Sequence, residues 1–130
     1  MNDFAKALTV TSSGLKAQAT RLRHLAENIS NADTPGYRRK LVSFETSFNA
    51  NSGVSSVETG RVRLDRTTLE RVYDPSHPMA DETGYFDGSN VDLMIELGDA
   101  REAQRSYEAN LKVFEQTRKM SSGLMDILRK

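Results

Sequence analysis

The spacing of apolar residues predicts a long helix near the start of the chain. From Phe4 to Ile29, apolar side chains recur at alternating steps of four and three, which is the spacing of a heptad seam. Asp3 stands just before this run and is a suitable N-cap. Polar residues occupy the seam at Thr11 and Gln18. The other positions of this predicted seam are Leu8, Leu15, Leu22 and Leu25.

The same spacing predicts a second, longer helix at the end of the chain. Ser89 and Asp92 have the spacing of a capping box, with Asp in place of the usual Glu. No proline follows Pro78, so a helix of about 40 residues is possible, although Gly98 and Gly123 each weaken it by about 1 kcal/mol relative to Ala. The predicted seam is Leu93, Leu97, Ala100, Gln104, Tyr107, Leu111, Phe114, Arg118, Ser121, Met125 and Leu128.

Between the helices, the pattern changes to short runs with a period of two. KLVSFETSF and RVRLDR alternate in this way, and Val62 and Leu64 would share one face of a strand. Residues 49–60 are rich in Ser, Gly and Asn and predict a mobile loop. The predicted fold is therefore mainly α. Long N- and C-terminal helices pack as a coiled-coil-like pair around an extended, β-like middle, and one structural unit comprises residues 1–37, 38–88 and 89–130.

Both seams contain Thr, Gln, Ser or Arg at positions that a dry core would hold poorly. An unpaired polar group in an apolar environment costs several kcal/mol. We therefore expect the seams to face partners or water along part of their length.

The segment NISNADTPGYRRK ends the first helix with an unusually specific turn. Proline disfavours helical backbone in the residue before it, and Pro35-Gly36 fits the central positions of a type II turn, in which glycine supplies a positive φ. Asparagine near a helix end tolerates the left-handed conformation and can bond free carbonyls. These features are compatible both with a simple helix stop and with a docking joint. The candidate joint residues are Asn28, Asn31, Thr34, Pro35, Gly36 and Tyr37.

Composition narrows the possible functions. Eighteen basic and eighteen acidic residues cancel, so no long-range field attracts nucleic acid or an anionic membrane. The absence of cysteine excludes disulfides, thiolate metal sites and a cysteine nucleophile. The N-terminus lacks the pattern of a cleavable secretory signal, and no apolar run approaches the ~20 residues of a membrane span. We expect a chain that is soluble where it is made and that needs another export route if it works elsewhere.

The sequence contains few candidate catalytic or metal-binding residues. His24 and His77 are isolated, and Asp74, His77 and Asp81 would make a metal site only if two prolines did not spread them along an extended path. No phosphate-binding glycine motif or nucleophile elbow is present. The basic run after Tyr37 is too short to indicate nucleic-acid binding. We predict no enzyme, cofactor, metal, nucleic acid or small-molecule substrate.

The two ends of the chain resemble the paired signatures of the flagellar basal-body rod proteins. The matching stretches are ALTVTSSGLKAQATRLRHLAENISNADTPGYRRK and NVDLMIELGDAREAQRSYEANLKVFEQTRKM, which are independent in sequence. The residues that carry the N-terminal match are Gly14, Ala17, Gln18, Asn28, Asn31, Thr34, Gly36 and Tyr37. Those that carry the C-terminal match are Asn90, Val91, Glu96, Arg105, Tyr107, Ala109 and Asn110.

The middle is similar to that of the short, C-type proximal-rod members of this family. The stretch VYDPSHPMADETGYF carries the likeness, with Met79 and Phe86 as departures from it. The matching residues are Tyr73, Asp74, Pro75, His77, Pro78, Ala80, Asp81, Gly84 and Tyr85. Another short rod protein of the same family, or a cytoplasmic helical adaptor or chaperone, is the alternative.

The resemblance implies a structural subunit of the proximal flagellar rod that transmits torque. Implied partners are other rod proteins, further copies of the chain, the base of the rod at the inner-membrane ring and the flagellar type III export apparatus. The implied location is the basal body, in the rod that spans the periplasm, after export without a cleaved signal. Phe4 and Leu8 would form the export element. The implied assembly seam is Leu15, Leu22, Leu25, Ile29, Tyr107, Leu111, Phe114 and Leu128.

Overall fold

A computed structural model describes residues 3–129 and shows two long helices that pack side by side. Helix α1 is Asp3–Ser30 and helix α2 is Leu93–Arg129. The helices are antiparallel, since Arg21 pairs with Glu102 and the backbone of Gly14 approaches Asn110. The predicted helical pair around a strand-containing middle is confirmed. Asp3, expected as an N-cap, already lies within the helix.

Helix α2 is longer than its partner and extends beyond it. Because Asn28 contacts Glu96 and Gly14 lies at Asn110, the described start of α1 at residue 3 falls opposite residue 121. The last eight described residues of α2, 122–129, have no α1 residue of the described chain beside them, and all are exposed. This overhang is about 12 Å long at 1.5 Å per residue.

The face of α2 that meets α1 differs in part from the predicted seam. The inward positions again follow alternating steps of four and three, but they are mostly small or polar, which lets the two backbones approach closely. Leu93, Leu97, Gln104 and Arg118, predicted to face inward, are exposed. The inward-facing residues are Glu96, Ala100, Ala103, Tyr107, Asn110, Phe114, Thr117 and Ser121.

The start of α2 also differs from the expected capping box. Asp92 alone caps the helix, since its Oδ1 accepts from the Met94 N–H at 3.0 Å. The Ser89 hydroxyl instead donates to the Ala32 carbonyl, where the chain leaves α1. Asp92 therefore caps α2, whereas Ser89 links the start of α2 to the end of α1 by a hydrogen bond.

The middle forms three antiparallel strand pairs, each two-stranded. Strands β1 and β4 pair across the joint, β2 and β3 form a hairpin, and β5 and β6 form a second pair. The prediction of a mobile loop at residues 49–60 is wrong for most of that segment, because residues 54–59 form a strand. The strand bounds are Lys40–Leu41, Phe44–Asn49, Val54–Thr59, Arg63–Leu64, Arg71–Tyr73 and Tyr85–Asp87.

The β2–β3 hairpin is ordered because it lies on α1. Val54 is buried, and the Val57 N–H donates to the Ser13 hydroxyl of α1 at 3.1 Å. The core is correspondingly small. Within residues 3–129, only Ala17, Leu25, Val54 and Ala103 are buried apolar residues. No helix in that part of the chain is long and apolar enough to cross a membrane.

Candidate functional site

The turn after α1 has the predicted type II geometry. Tyr37 donates its N–H to the Thr34 carbonyl at 3.1 Å, and Gly36 has a φ of 76°. The Gly36 N–H also points at the carbonyls of Asp87 and Gly88, at 3.1 and 3.0 Å. A plain helix stop needs no such partner, so this turn is also tied to the end of β6.

Asn28 joins four parts of the molecule and is completely buried. Its Nδ2 donates to the Lys40 carbonyl at 3.0 Å and contacts Glu96 Oε2 of α2 at 3.3 Å. Its Oδ1 accepts from the Tyr37 hydroxyl and from the Lys40 N–H, each at 2.8 Å. One amide thus links α1, the turn, β1 and α2, which is how a docking joint differs from a helix stop.

Asn31 has the simpler role that was predicted for both asparagines. Its Nδ2 donates to the Glu27 carbonyl at 2.8 Å, and its Oδ1 accepts from the Thr34 hydroxyl at 3.0 Å. The left-handed conformation expected near this helix end is absent, since no residue other than glycine has a positive φ within the described chain. Its side chain therefore satisfies the helix end without backbone strain.

A buried ion pair completes the joint. Glu96 has no exposed surface, and its Oε1 accepts from Arg39 Nε at 2.6 Å. The Arg39 side chain also donates from Nη1 to Asp65 Oδ2 at 3.2 Å. The backbone N–H of Arg39 donates to Asn90 Oδ1 at 2.7 Å. Breaking a buried pair by removing one partner costs about 3–5 kcal/mol, because the remaining charge is left unpaired. We call Asn28, Tyr37, Arg39, Asp65, Asn90 and Glu96 the polar joint.

The charges around the joint stabilise one another. A hydrogen bond from Lys40 lowers the pKa of Glu27, and the same bond raises the pKa of Lys40; the two atoms are 2.6 Å apart. The Thr67 N–H lowers the pKa of the Asp65 carboxyl, with a further contribution from Arg39. Burial raises the pKa of the Tyr37 hydroxyl, which favours its neutral, hydrogen-bonding form. Each carboxylate thus holds its proton less tightly because a donor faces it.

Arg39 and Glu96 were not predicted as members of the joint. Glu96 stands at an inward position of α2, although the predicted seam ran through Leu93 and Leu97 instead. A charge at such a position needs a partner of opposite charge, and the Arg38-Arg39-Lys40 run after the turn was the available source. That combination is the signal that could have found this ion pair.

The stretch 71–87 forms a hairpin held by a cluster of ion pairs. Arg71 pairs with Asp81 at 2.7 Å and with Asp87 at 3.0 Å. The Asp81 carboxylate also accepts from the Thr83 side chain, which with Arg71 lowers its pKa. His77 stacks on Phe86 with ring centres 4.0 Å apart. Within residues 3–129 no three acidic or histidine side chains converge as metal ligands.

The predicted seam residues divide into covered and uncovered groups. Leu25 is buried, and Leu128, on the overhang of α2, is 72% exposed. Phe4 and Leu8, predicted as an export element, are half-buried on α1. The other residues of the implied assembly seam are half-buried: Leu15, Leu22, Ile29, Tyr107, Leu111 and Phe114.

A second apolar stripe on α2 faces outward. Its members are spaced by seven, four and three residues, so they lie on one side of the helix, next to the face that meets α1, and Leu124 and Ile127 stand on the overhang. Each is at least 45% exposed, and nothing in the described chain covers them. The members of this outer stripe are Val113, Met120, Leu124 and Ile127.

Known proteins are similar to this chain at both of its ends and through its middle. Residues 8–38 match the family "Flagella basal body rod protein", and residues 82–127 match "Flagellar basal body rod FlgEFG protein C-terminal". The flagellar basal-body rod protein FlgC of Agrobacterium fabrum is 43% identical over 136 aligned positions, covering 99% of this chain and 98% of that protein.

More distant relatives have the same printed name. FlgC of Salmonella typhimurium is 32% identical over 117 positions, covering 85% of this chain and 87% of the relative. FlgC of Bacillus subtilis is 32% identical over 143 positions, covering 93% and 95%. The similarity spans the helices, the joint and the middle, and the chain belongs to the flagellar basal-body rod protein family.

Proposed function

We propose that this chain is a structural subunit of the proximal rod, assembling with itself and with other rod proteins through its helices. The observation that carries the proposal is the outer stripe of α2, an apolar face that residues 3–129 leave uncovered. Exposed apolar residues gathered on one face of a helix are typical of protein–protein contact sites. Full-length similarity to proteins named as flagellar basal-body rod proteins supports the proposal that the neighbours are other rod proteins.

In the proposed role, torque passes through packed helices, and no catalysis is involved. The polar joint fixes the angle between the helices and the middle, since Asn28 bonds to both at once. A network of this kind resists twisting because each hydrogen bond constrains two elements in direction as well as distance. Asn28 and Tyr37, which belong both to the predicted joint and to the polar joint, would therefore transmit load between the helical layer and the hairpins.

The proposal places the chain in the basal body, at the base of the rod near the inner-membrane ring. In this proposal the chain leaves the cytoplasm through the flagellar type III export apparatus, with Phe4 and Leu8 as the export element. Both side chains are half-buried against the folded molecule, so the apparatus would meet them in an unfolded chain. The small core supports this order of events, because little apolar surface must be exposed before export.

The outer stripe supplies a direct test. Met120→Glu combined with Leu124→Glu should abolish swimming in a strain whose only copy carries both changes, because two buried charges would face the neighbouring subunit. Gln104→Glu with Lys112→Glu is the control on exposed polar positions and should leave swimming largely intact. Helix content of the purified variants, measured by circular dichroism, should match the parent chain. Normal swimming of the stripe variant would refute the assignment of this surface.

A further inference from the structure

The methionines of the described chain all lie on its surface. Methionine is flexible and apolar, and it commonly fills gaps in a core. Here every methionine among residues 3–129 is more than half exposed. The exposed fractions are 64% for Met79, 80% for Met94, 57% for Met120 and 52% for Met125. Because the sequence has no cysteine, these four thioethers are the sulfur atoms of that part of the chain.

Met120 differs from the others because it belongs to the outer stripe of α2. Leu124 lies one turn further along the helix and Val113 lies two turns earlier, and both are exposed on the same side. The Met120 sulfur is therefore part of an apolar surface that is open to water. Met79 is equally open, but it lies in the hairpin 71–87, outside both the outer stripe and the polar joint.

An exposed thioether reacts with peroxides without help from other protein groups. The sulfur lone pair attacks one oxygen of hydrogen peroxide, the O–O bond breaks as the S–O bond forms, and a proton shift releases water. The sulfur loses two electrons and the peroxide gains two, so the reaction needs no further reactant. The product, methionine sulfoxide, is polar, and sulfoxide reductases return it to the thioether.

We propose that Met120 of the unassembled chain is an oxidation site for peroxides, and that its sulfoxide prevents the outer stripe from packing on a neighbouring subunit. The second half rests on the proposed rod role, in which a neighbour covers the stripe. A sulfoxide oxygen buried there loses its water and finds only apolar side chains of the stripe beside it, which is unfavourable. The fold should be unaffected, because the Met120 side chain is mostly in water before and after oxidation.

The accessibility of Met120 is measured on the purified chain. Native protein and protein unfolded in urea receive the same dilute hydrogen peroxide, and mass spectrometry of proteolytic peptides gives the oxidation rate at each methionine. The native rate at Met120 should lie within about fivefold of the unfolded rate, as expected for an exposed thioether. Circular dichroism of the oxidised protein should show unchanged helix content. A larger slowing in the native chain would show that Met120 is shielded and would overturn the proposal.

The effect on assembly is measured by competition between two chains in one cell. A strain that lacks methionine sulfoxide reductases makes the parent chain and Met120→Leu, each with a different short tag, with or without a low dose of hydrogen peroxide. Peroxide should raise the share of Met120→Leu in the basal-body fraction several-fold, because leucine has no sulfur to oxidise. In the matched competition between the parent chain and Met79→Leu, peroxide should leave the shares unchanged.

A fixed polar side chain gives a second readout that needs no peroxide. Glutamine resembles methionine sulfoxide in length and polarity, so Met120→Gln should be several-fold under-represented in basal bodies when it competes with the parent chain. Met79→Gln, the matched variant on the hairpin, should enter in proportion to its supply. Equal entry of Met120→Gln would show that the stripe tolerates a polar group at this position and would refute the assembly half of the proposal.

These measurements separate the inference from the rod role itself. Basal bodies that contain both competing chains in shares that peroxide does not change would leave the proposed function standing and refute the inference. Absence of every tagged chain from basal bodies would refute the proposed function together with the assembly half. The ratio of native to unfolded oxidation rates would still decide whether Met120 is an oxidation site.

Discussion

At the scale of single residues, the molecule depends on side chains that bond across long stretches of sequence. Asn28 and Glu96 are 68 positions apart and meet in a site with no exposed surface at either residue. Arg39, the residue before β1, supplies the compensating charge, with its Nε 2.6 Å from Glu96 Oε1. Polar groups buried in this way stabilise a fold only when all their partners are present.

Removing the Asn28 amide should therefore be costly. Asn28→Ala leaves the Tyr37 hydroxyl and the Lys40 N–H without their acceptor, and we expect the free energy of unfolding to fall by about 3 kcal/mol. Asn31→Ala is the matched control, since it loses local bonds at a half-exposed site and should cost about 1 kcal/mol or less. Urea unfolding followed by circular dichroism measures both. Equal effects would mean that Asn28 is only a helix stop.

Acid should loosen the joint. The folded-state pKa values of Glu27 and Asp65 lie below their usual 4.5 and 3.8, so their contribution is fully present above those values and is lost as pH falls through the lowered ones. The free energy of unfolding should thus decline steadily below about pH 4.5. In Asp65→Asn the decline should be shallower than in the parent chain. A parallel decline in the two proteins would exclude Asp65 as a source of the effect.

At the scale of elements, small residues set how closely the helices approach. A Cβ added at Gly14 would lie 3.2 Å from Asn110 Nδ2 and 3.6 Å from its Cγ, whereas one added at Gly98 would meet nothing within 4 Å. The two glycines therefore have different meanings. Gly14 lies where a side chain would press on Asn110 of α2, and Gly98 is only a weak point in α2.

Substitutions at these two glycines should change the free energy of unfolding in opposite directions. Gly98→Ala should raise the free energy of unfolding by about 0.5–1 kcal/mol, because Ala favours the helix and no contact opposes it. Gly14→Val should lower it by about 1–3 kcal/mol, because the branched side chain must displace Asn110 or separate the helices. Thermal melts of the two variants decide the matter. A stabilised Gly14→Val chain would show that the helices are not held at this distance.

Local features were predictable from the sequence, and long-range ones were not. The Pro35-Gly36 turn follows from backbone preferences of two adjacent residues, and both helices follow from their heptad spacing. Strand β3 was missed because its Ser-rich sequence is typical of a loop, while its order comes from pairing with β2 and from lying on Ser13 of α1. The Arg39–Glu96 pair depends on the register between α1 and α2, which spacing alone does not determine.

At the scale of the whole molecule, the chain buries little apolar surface and exposes much of it in an organised way. The exposed positions form an outer stripe on α2, an uncovered seam on the overhang and an apolar patch at the start of α2. Zero net charge leaves no long-range repulsion against self-association. In the proposed rod subunit, neighbouring subunits would cover these exposed apolar surfaces.

The most direct test of that claim is to follow a tagged copy, which restores swimming, through purification of detergent-stripped basal bodies. Quantitative mass spectrometry of the rod fraction should recover the chain in a fixed ratio to the other rod and ring proteins, and the Met120→Glu, Leu124→Glu variant should be missing from it. A functional tagged chain that remains entirely in the cytosol would contradict the account and indicate an assembly adaptor instead.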